Sequence, residues 1–311
     1  MEQKQLQMRG GMIGVALLLM AMMSYLLQQG TVFLQSLDKH FGWGWPPLVW
    51  QGISLLVGIV YIAVPTVFLI SALGESPQRL IPLVAVRADY LWPAMGVAFG
   101  VAVAGNYFSV FLLALLQQAG YTAITYMPEI GSGVPSMIFT VLAAGVVPAI
   151  LEEFLFRGAI LQALRPFGNG FAVVVSAVLF AVCHASFAQL IPALLIGLCL
   201  GCFTIRSGSL VPGMIFHFLY NTLALVLFIL QESGNYTVMT VIWFYAFGSA
   251  SALTGAFFLR RRFGPVFALP NDPQPSVTIN RFAALLKSIP LIAGLAYFLY
   301  FTIGSIIPIA A

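Results

Sequence analysis

The chain has 311 residues, 61% hydrophobic and only 7% charged, with a formal net charge of +4. Ordinary globular domains carry roughly 25% charged residues. So little charge cannot cover a water-exposed surface, and the solvent for this chain must be lipid. The few basic residues are scattered and give no footing for nucleic acid. Cys183, Cys199 and Cys202 all lie in apolar stretches, without the paired spacing of a disulfide framework or a zinc knuckle.

In chain order, nine apolar runs are long enough to cross ~30 Å of hydrocarbon: near 11–36, 51–74, 91–119, 136–164, 168–185, 188–205, 209–231, 237–259 and 283–309. The fold class is therefore all-α, a polytopic membrane protein of eight to nine spans. The first run follows Lys4 and Arg9 as a signal sequence would. It is too long for a cleaved apolar region and reads as an uncleaved span. Trp43, Trp45, Pro46 and Pro47 form an interfacial loop, and Trp92 with Tyr90 reads as a belt anchor. Gly96 and Gly100, and again Gly197 and Gly201, have the GxxxG spacing of close helix packing. The fifth and sixth runs are nearly continuous and must turn between His184 and Phe187. Phe263–Asn280, rich in proline, reads as a linker before a detached last helix. These features divide the chain into N-terminal helices (1–135), a core (136–231) and C-terminal helices with the linker (232–311).

Alternating the spans from an inside N-terminus collects Lys4, Arg9, Arg79, Arg87, Arg165, Arg206, Arg260, Arg261, Arg262 and Arg281 in the inside loops. Only Lys39 remains outside. The positive-inside rule then predicts a cell-membrane protein with a cytoplasmic N-terminus and an extracytoplasmic C-terminus. Ser132 falls outside and Asp272 inside.

Ionisable residues away from span ends occur in three runs only: Glu152, Glu153 and Arg157 in the fourth, His184 in the fifth, His217 in the seventh. Charge at membrane depth costs ~3 kcal/mol or more per group and persists where it faces a partner or a polar cavity. At 1.5 Å per residue, Glu152 and Asn221 lie ~18 Å from the inside face, His184 ~22 Å and His217 ~12 Å. Three antiparallel spans thus bring polar residues to one layer, between the cytoplasmic half and the midplane. Glu153 and Arg157 have the i,i+4 spacing of an ion pair with the acid first. Glu152, rotated ~100° away, is left free, and burial beside a second carboxylate suits a general base. His217 and Asn221 share a face and offer two donors for an oxyanion. Phe180 sits one turn before His184. Each residue also has a plainer reading. The glutamates and Arg157 serve as a packing ion pair, the histidines and Asn221 as interhelical hydrogen-bonders, His40 as a solvated surface residue. Pro148 frees a backbone carbonyl one turn before the glutamates.

The residues taken together resemble a known family. Glu152-Glu153-Phe154-Leu155-Phe156-Arg157 matches the EExxxR motif of the type II CAAX prenyl endopeptidase and bacteriocin-processing family. Phe180 to His184 matches its FxxxH motif, and His217 to Asn221 its HxxxN motif. The resemblance covers roughly residues 140–225, includes the approach Ile205–Leu210, and has the look of a bacterial relative. It implies an intramembrane endopeptidase hydrolysing a peptide bond of a membrane-associated protein or peptide. In that scheme Glu152, assisted by His184, activates water, His217 and Asn221 stabilise the oxyanion, and Glu153, Arg157 and Phe180 support the site. The expected mechanism has no cofactor. Relatives labelled metalloproteases leave a zinc version open, with Glu152, His184 and His217 as ligands. Two further readings stand beside it: a non-proteolytic scaffold that keeps the site residues, and a small transporter using the glutamates as a proton relay. The absence of acids in other spans weighs against the relay.

Overall fold

The computed structural model of the protein describes residues 2–124, 133–270 and 280–309. Ser132, Asp272 and the linker residues 271–279 lie outside them. The helices run α1 (Glu2–Phe41), α2 (Pro47–Leu73), the short α3 (Pro77–Leu80) and α4 (Ala88–Gln118). A continuous rod then spans Val134–Phe167, in which α5 (Val134–Val141), α6 (Val147–Glu153) and α7 (Leu161–Leu164) are separated by π-helical stretches at Leu142–Val146 and Phe154–Ile160. There follow α8 (Asn169–Cys183), α9 (Phe187–Ser207), α10 (Val211–Glu232), α11 (Val238–Phe263), α12 (Arg281–Leu285) and α13 (Ile289–Gly304). Among the described residues the only extended pairing is a three-residue antiparallel ladder, β1 (Tyr121–Ala123) with β2 (Ile306–Pro308).

This is an all-α, multi-pass membrane protein, with one difference from the nine expected spans. Among the described residues seven helices are long and apolar enough to cross a bilayer, while α8 and α13 are shorter, at 15 and 16 residues. The run expected over 283–309 is broken. After α12 the chain turns at Leu286–Lys287, and the Ser288 hydroxyl accepts the Leu291 N–H to start α13 afresh. α8 stops at His184 because Ala185 adopts a left-handed φ of 49°, a conformation that terminates helices and that alanine enters only at a cost of about 1–2 kcal/mol.

The helix crossings follow the small residues. A Cβ at Gly96 would lie 2.6 Å from the Ser251 carbonyl oxygen and one at Gly197 3.0 Å from Ala177. The two GxxxG pairs thus seat α4 on α11 and α9 on α8. Tyr90 corrects the belt-anchor reading: its ring is buried against Phe203 and Phe263, and Trp92 alone is exposed, at 64%. Rotation by two residues on a helix turns one side chain inward while its neighbour faces lipid. Phe41, Trp43, Trp45 and Trp50 stack in sequence at one end of α1 and α2.

The arginines gather at the opposite end. Arg9 and Arg79 both pair with Glu75, at 2.8 and 3.3 Å. Arg9 also donates to the Ala163 carbonyl, which ties α1, α2 and the foot of the Val134–Phe167 rod together. Arg206 donates to the carbonyls of Phe263, Pro265 and Ala268, fastening the segment after α11 to the end of α9.

Candidate active site

The site is built where α6, α8 and α10 meet, with α2 behind. α6 carries the two glutamates, and the π-helical stretch after it carries Arg157. An N–H that reaches to the fifth residue rather than the fourth widens the turn and leaves a carbonyl without its usual partner. Here Ser176 of α8 donates its hydroxyl to the Phe156 carbonyl at 2.7 Å. The widened turn is thereby latched to the helix that carries Phe180 and His184.

Glu153 and Arg157 form the buried centre. Arg157 Nη1 donates to Glu153 Oε1 at 2.8 Å, with the two side chains 0–1% exposed. The guanidinium lies over the Phe180 ring, 4.0 Å from its centroid, a cation–π contact that desolvation strengthens. Phe180 also presents its ring edge-on to Phe156, His184 and His217. One aromatic residue therefore touches Arg157 and both histidines and fixes their spacing. Among the described residues Glu153 Oε2 and Arg157 Nη2 have no hydrogen-bond partner, so the pair is single-stranded rather than bidentate.

His217 comes from α10 and stands between the two glutamates. Its Nδ1 lies 3.2 Å from Glu153 Oε1 and its Nε2 3.7 Å from Glu152 Oε2. With Arg157 holding Glu153 as an acceptor, Nδ1 carries the proton of that hydrogen bond. Nε2 then faces Glu152 across a gap slightly longer than a hydrogen bond. Glu152 differs from its neighbour: its side chain is 19% exposed, and among the described residues Oε2 makes no hydrogen bond. One carboxylate is locked and the other is free, as their positions on the helix predict.

His184 sits at the C-terminal end of α8. Its Nδ1 donates to the Phe180 carbonyl at 2.7 Å, which leaves Nε2 as the unprotonated nitrogen of the neutral ring. The turn behind it is pinned on the far side. The Phe187 N–H donates to Ser305 Oγ, and Ser109 Oγ donates to the Ala188 carbonyl. Ser109 is about two-thirds of the way along α4 from the arginine-rich end. Asn221 lies one helical turn beyond His217, half-buried, and makes no hydrogen bond to the other site residues. The fold thus joins Glu152, Glu153, Arg157, Phe180, His184 and His217 in one connected cluster and leaves the Asn221 amide unengaged beside it.

Five contributors have no motif to announce them. Ser176 and Ala185 act through backbone geometry. Tyr61 of α2 and Cys183 of α8 are electrostatic neighbours of Glu152, brought there by tertiary packing alone. Gly213, one turn before His217, has the tightest requirement, since a Cβ there would lie 2.6 Å from Glu153 Oε2. A polar residue preceded at i−4 by glycine on an apolar helix is the one local signal that points to it. Gly213→Ala is expected to push Glu153 from its seat and cost about 1–3 kcal/mol, read as a lowered unfolding temperature in detergent. An unchanged transition would mean that the carboxylate has room elsewhere.

A zinc version of the site would draw on Glu152, His184 and His217. Among the described residues no three His, Cys, Asp or Glu side chains converge closely enough to hold a metal ion. His217 Nε2 lies 3.7 Å from Glu152 Oε2, and the hydrogen bond from His184 Nδ1 to the Phe180 carbonyl leaves Nε2 of that ring open.

Comparison with known families bears on the same stretch. Residues 133–223 match the family model of the type II CAAX prenyl endopeptidase Rce1-like proteins. This region resembles an Rce1-like domain. No curated protein and no solved structure matches the chain. The match begins at α5 and ends just past Asn221, so it holds all seven candidate residues. α1, α2, α4, α11 and α13 lie outside the match, with α2 packed on α6 and α13 on α8.

Proposed function

We propose that the protein is an intramembrane endopeptidase of the CAAX type, and that Glu152 is its general base. The observation that carries this reading is the division of labour between adjacent carboxylates: Glu153 sealed and paired with Arg157, Glu152 partly open with an oxygen that makes no hydrogen bond among the described residues. A water between Glu152 and the free Nε2 of His184 would give up its proton to the carboxylate as it attacks the scissile carbonyl. The proton then passes to the leaving amine, for which His184 Nε2 is the acceptor-side relay. The Asn221 amide is a ready donor to the tetrahedral oxyanion. His217 can donate from Nε2 only with protons on both ring nitrogens, since Nδ1–H is committed to Glu153. Its first duty is to set the distance between the two glutamates. Supporting residues Glu153, Arg157 and Phe180 hold this geometry. The substrate is a membrane-associated peptide or protein, and the arginine-rich end is cytoplasmic.

The test uses purified protein in lipid vesicles with a farnesylated peptide ending in a CAAX sequence as the probe, and mass spectrometry of the products. Release of the C-terminal tripeptide, equal before and after exhaustive chelation, is the expected result. Cleavage that chelation ends and zinc restores would replace the base mechanism by a metal one. An intact peptide would remove this substrate class.

Orientation has its own test. With the three native cysteines replaced, a cysteine at Asn235 is expected to react with an impermeant maleimide added to intact cells, and one at Gln78 only after lysis. Both positions are exposed loop or short-helix residues. The reverse pattern would invert the protein in the membrane.

A further inference from the structure

α11 packs chiefly on α4, and the crossing is close enough for backbones to touch: Gly255 meets the Pro93 carbonyl and Gly96 the Ser251 carbonyl. Two rods pressed together at glycines leave a trench along their seam. Here the trench has a volume of about 1070 Å³, at the upper end of ordinary ligand pockets. Its walls are Trp92, Phe247 and Phe258, each more than half exposed on spans that face lipid. Arg261 and Arg262 stand at its mouth. None of the candidate active-site residues lines the trench.

The charges at the mouth are not balanced. Asp89 is occupied from both sides, by Arg87 at 2.7 Å and by Arg262 at 2.8 Å. Among the described residues Arg261 makes no ion pair or hydrogen bond, and it reaches the groove with Asp89 already neutralised. Arg261, Phe258, Thr254 and Phe247 follow the i, i+3, i+7 and i+14 spacings of one helix face. From Phe247 to Arg261 is 14 residues, ~21 Å of helix. Half of a bilayer that is ~40–45 Å thick with its headgroups is ~20–22 Å. An apolar trench as long as one leaflet, closed at the interface by an unpaired guanidinium, matches the shape and charge of a single lipid molecule.

We propose that the α4–α11 groove is a binding site for one anionic phospholipid, its phosphate on Arg261 and its acyl chains along Trp92, Phe247 and Phe258. Zwitterionic lipids fit the same trench without the net attraction, so headgroup charge rather than chain length sets the preference.

Native mass spectrometry of the detergent-purified protein tests this, with dioleoyl phosphatidylglycerol and dioleoyl phosphatidylcholine added as probes. The wild type is expected to retain one phosphatidylglycerol about fivefold over phosphatidylcholine, the contribution of one basic residue at a membrane surface. Arg261→Gln is expected to bring the two lipids to parity. Ala250→Trp, which fills the trench from its lipid side, is expected to lose both. Arg260→Gln, one residue away but outside the groove lining, is expected to behave as wild type. Equal retention of the two lipids by the wild type would overturn the site. So would an equal loss of selectivity in Arg260→Gln and Arg261→Gln, which would mark a diffuse basic surface.

Discussion

Replacing Glu152 by glutamine is expected to end peptide-bond cleavage while leaving the protein folded. General-base catalysis contributes typically about 100- to 10,000-fold, so the residual rate of Glu152→Gln falls at or below about one part in a hundred. The fold tolerates the change because Glu152 Oε2 has no hydrogen-bond partner to lose and the side chain stays partly open. Glutamine keeps its volume and removes a charge that costs energy at membrane depth. Purified wild type and variant are compared for cleavage of the farnesylated peptide and for thermal unfolding in detergent. A variant that cleaves at the wild-type rate would assign the chemistry to another residue. One that fails to fold would mean that Glu152 is structural.

The opposite pattern is expected for Arg157→Ala. Glu153 is fully buried, with the Arg157 guanidinium at 2.8 Å. Breaking a buried pair from one side leaves an uncompensated charge, at a typical cost of about 3–5 kcal/mol. The cation–π contact on Phe180 is lost as well, and with it the packing that places both histidines. The unfolding temperature is expected to fall, and activity with it. The double replacement Arg157→Met with Glu153→Gln is expected to recover most of the stability and little of the activity. Arg157→Ala as stable as the wild type would mean that the buried acid finds another partner.

The contrast between these two glutamates is legible in the chain. A 100° step on a helix separates neighbours, and a four-residue step joins Glu153 to Arg157, so local spacing alone assigns the pair. It holds even though Arg157 falls in a π-helical turn, because the side chain is long enough to absorb the wider turn. The depth arithmetic separates Glu152 and His217 by ~6 Å along the membrane normal, whereas their side chains reach to 3.7 Å of one another. Less is legible for His217 and His184. The spacing of His217 and Asn221 suggests a shared donor pair, whereas tertiary packing turns Nδ1 of His217 onto Glu153. A ring's tautomer depends on partners from other helices, and no pattern within one helix records it. The shortness of α8 is hidden for a similar reason: Ala185 carries no turn signal, and the segment just after its left-handed φ is held by Ser109 and Ser305, far away in the chain. Tyr90 is masked as a core residue because a tyrosine beside a tryptophan at a helix start has the composition of a membrane belt. Which of the two turns inward is decided by α9 and the end of α11.

The most direct measurement of the central claim applies whatever the substrate is. Membranes from cells making the wild type or Glu152→Gln at equal levels are compared by mass spectrometry for new N-termini and C-termini. If the protein is a Glu152-dependent intramembrane endopeptidase, a defined set of membrane-associated proteins will carry paired new termini in the wild type and none in Glu152→Gln. Identical termini in the two membranes, with both proteins folded and equally abundant, would contradict it.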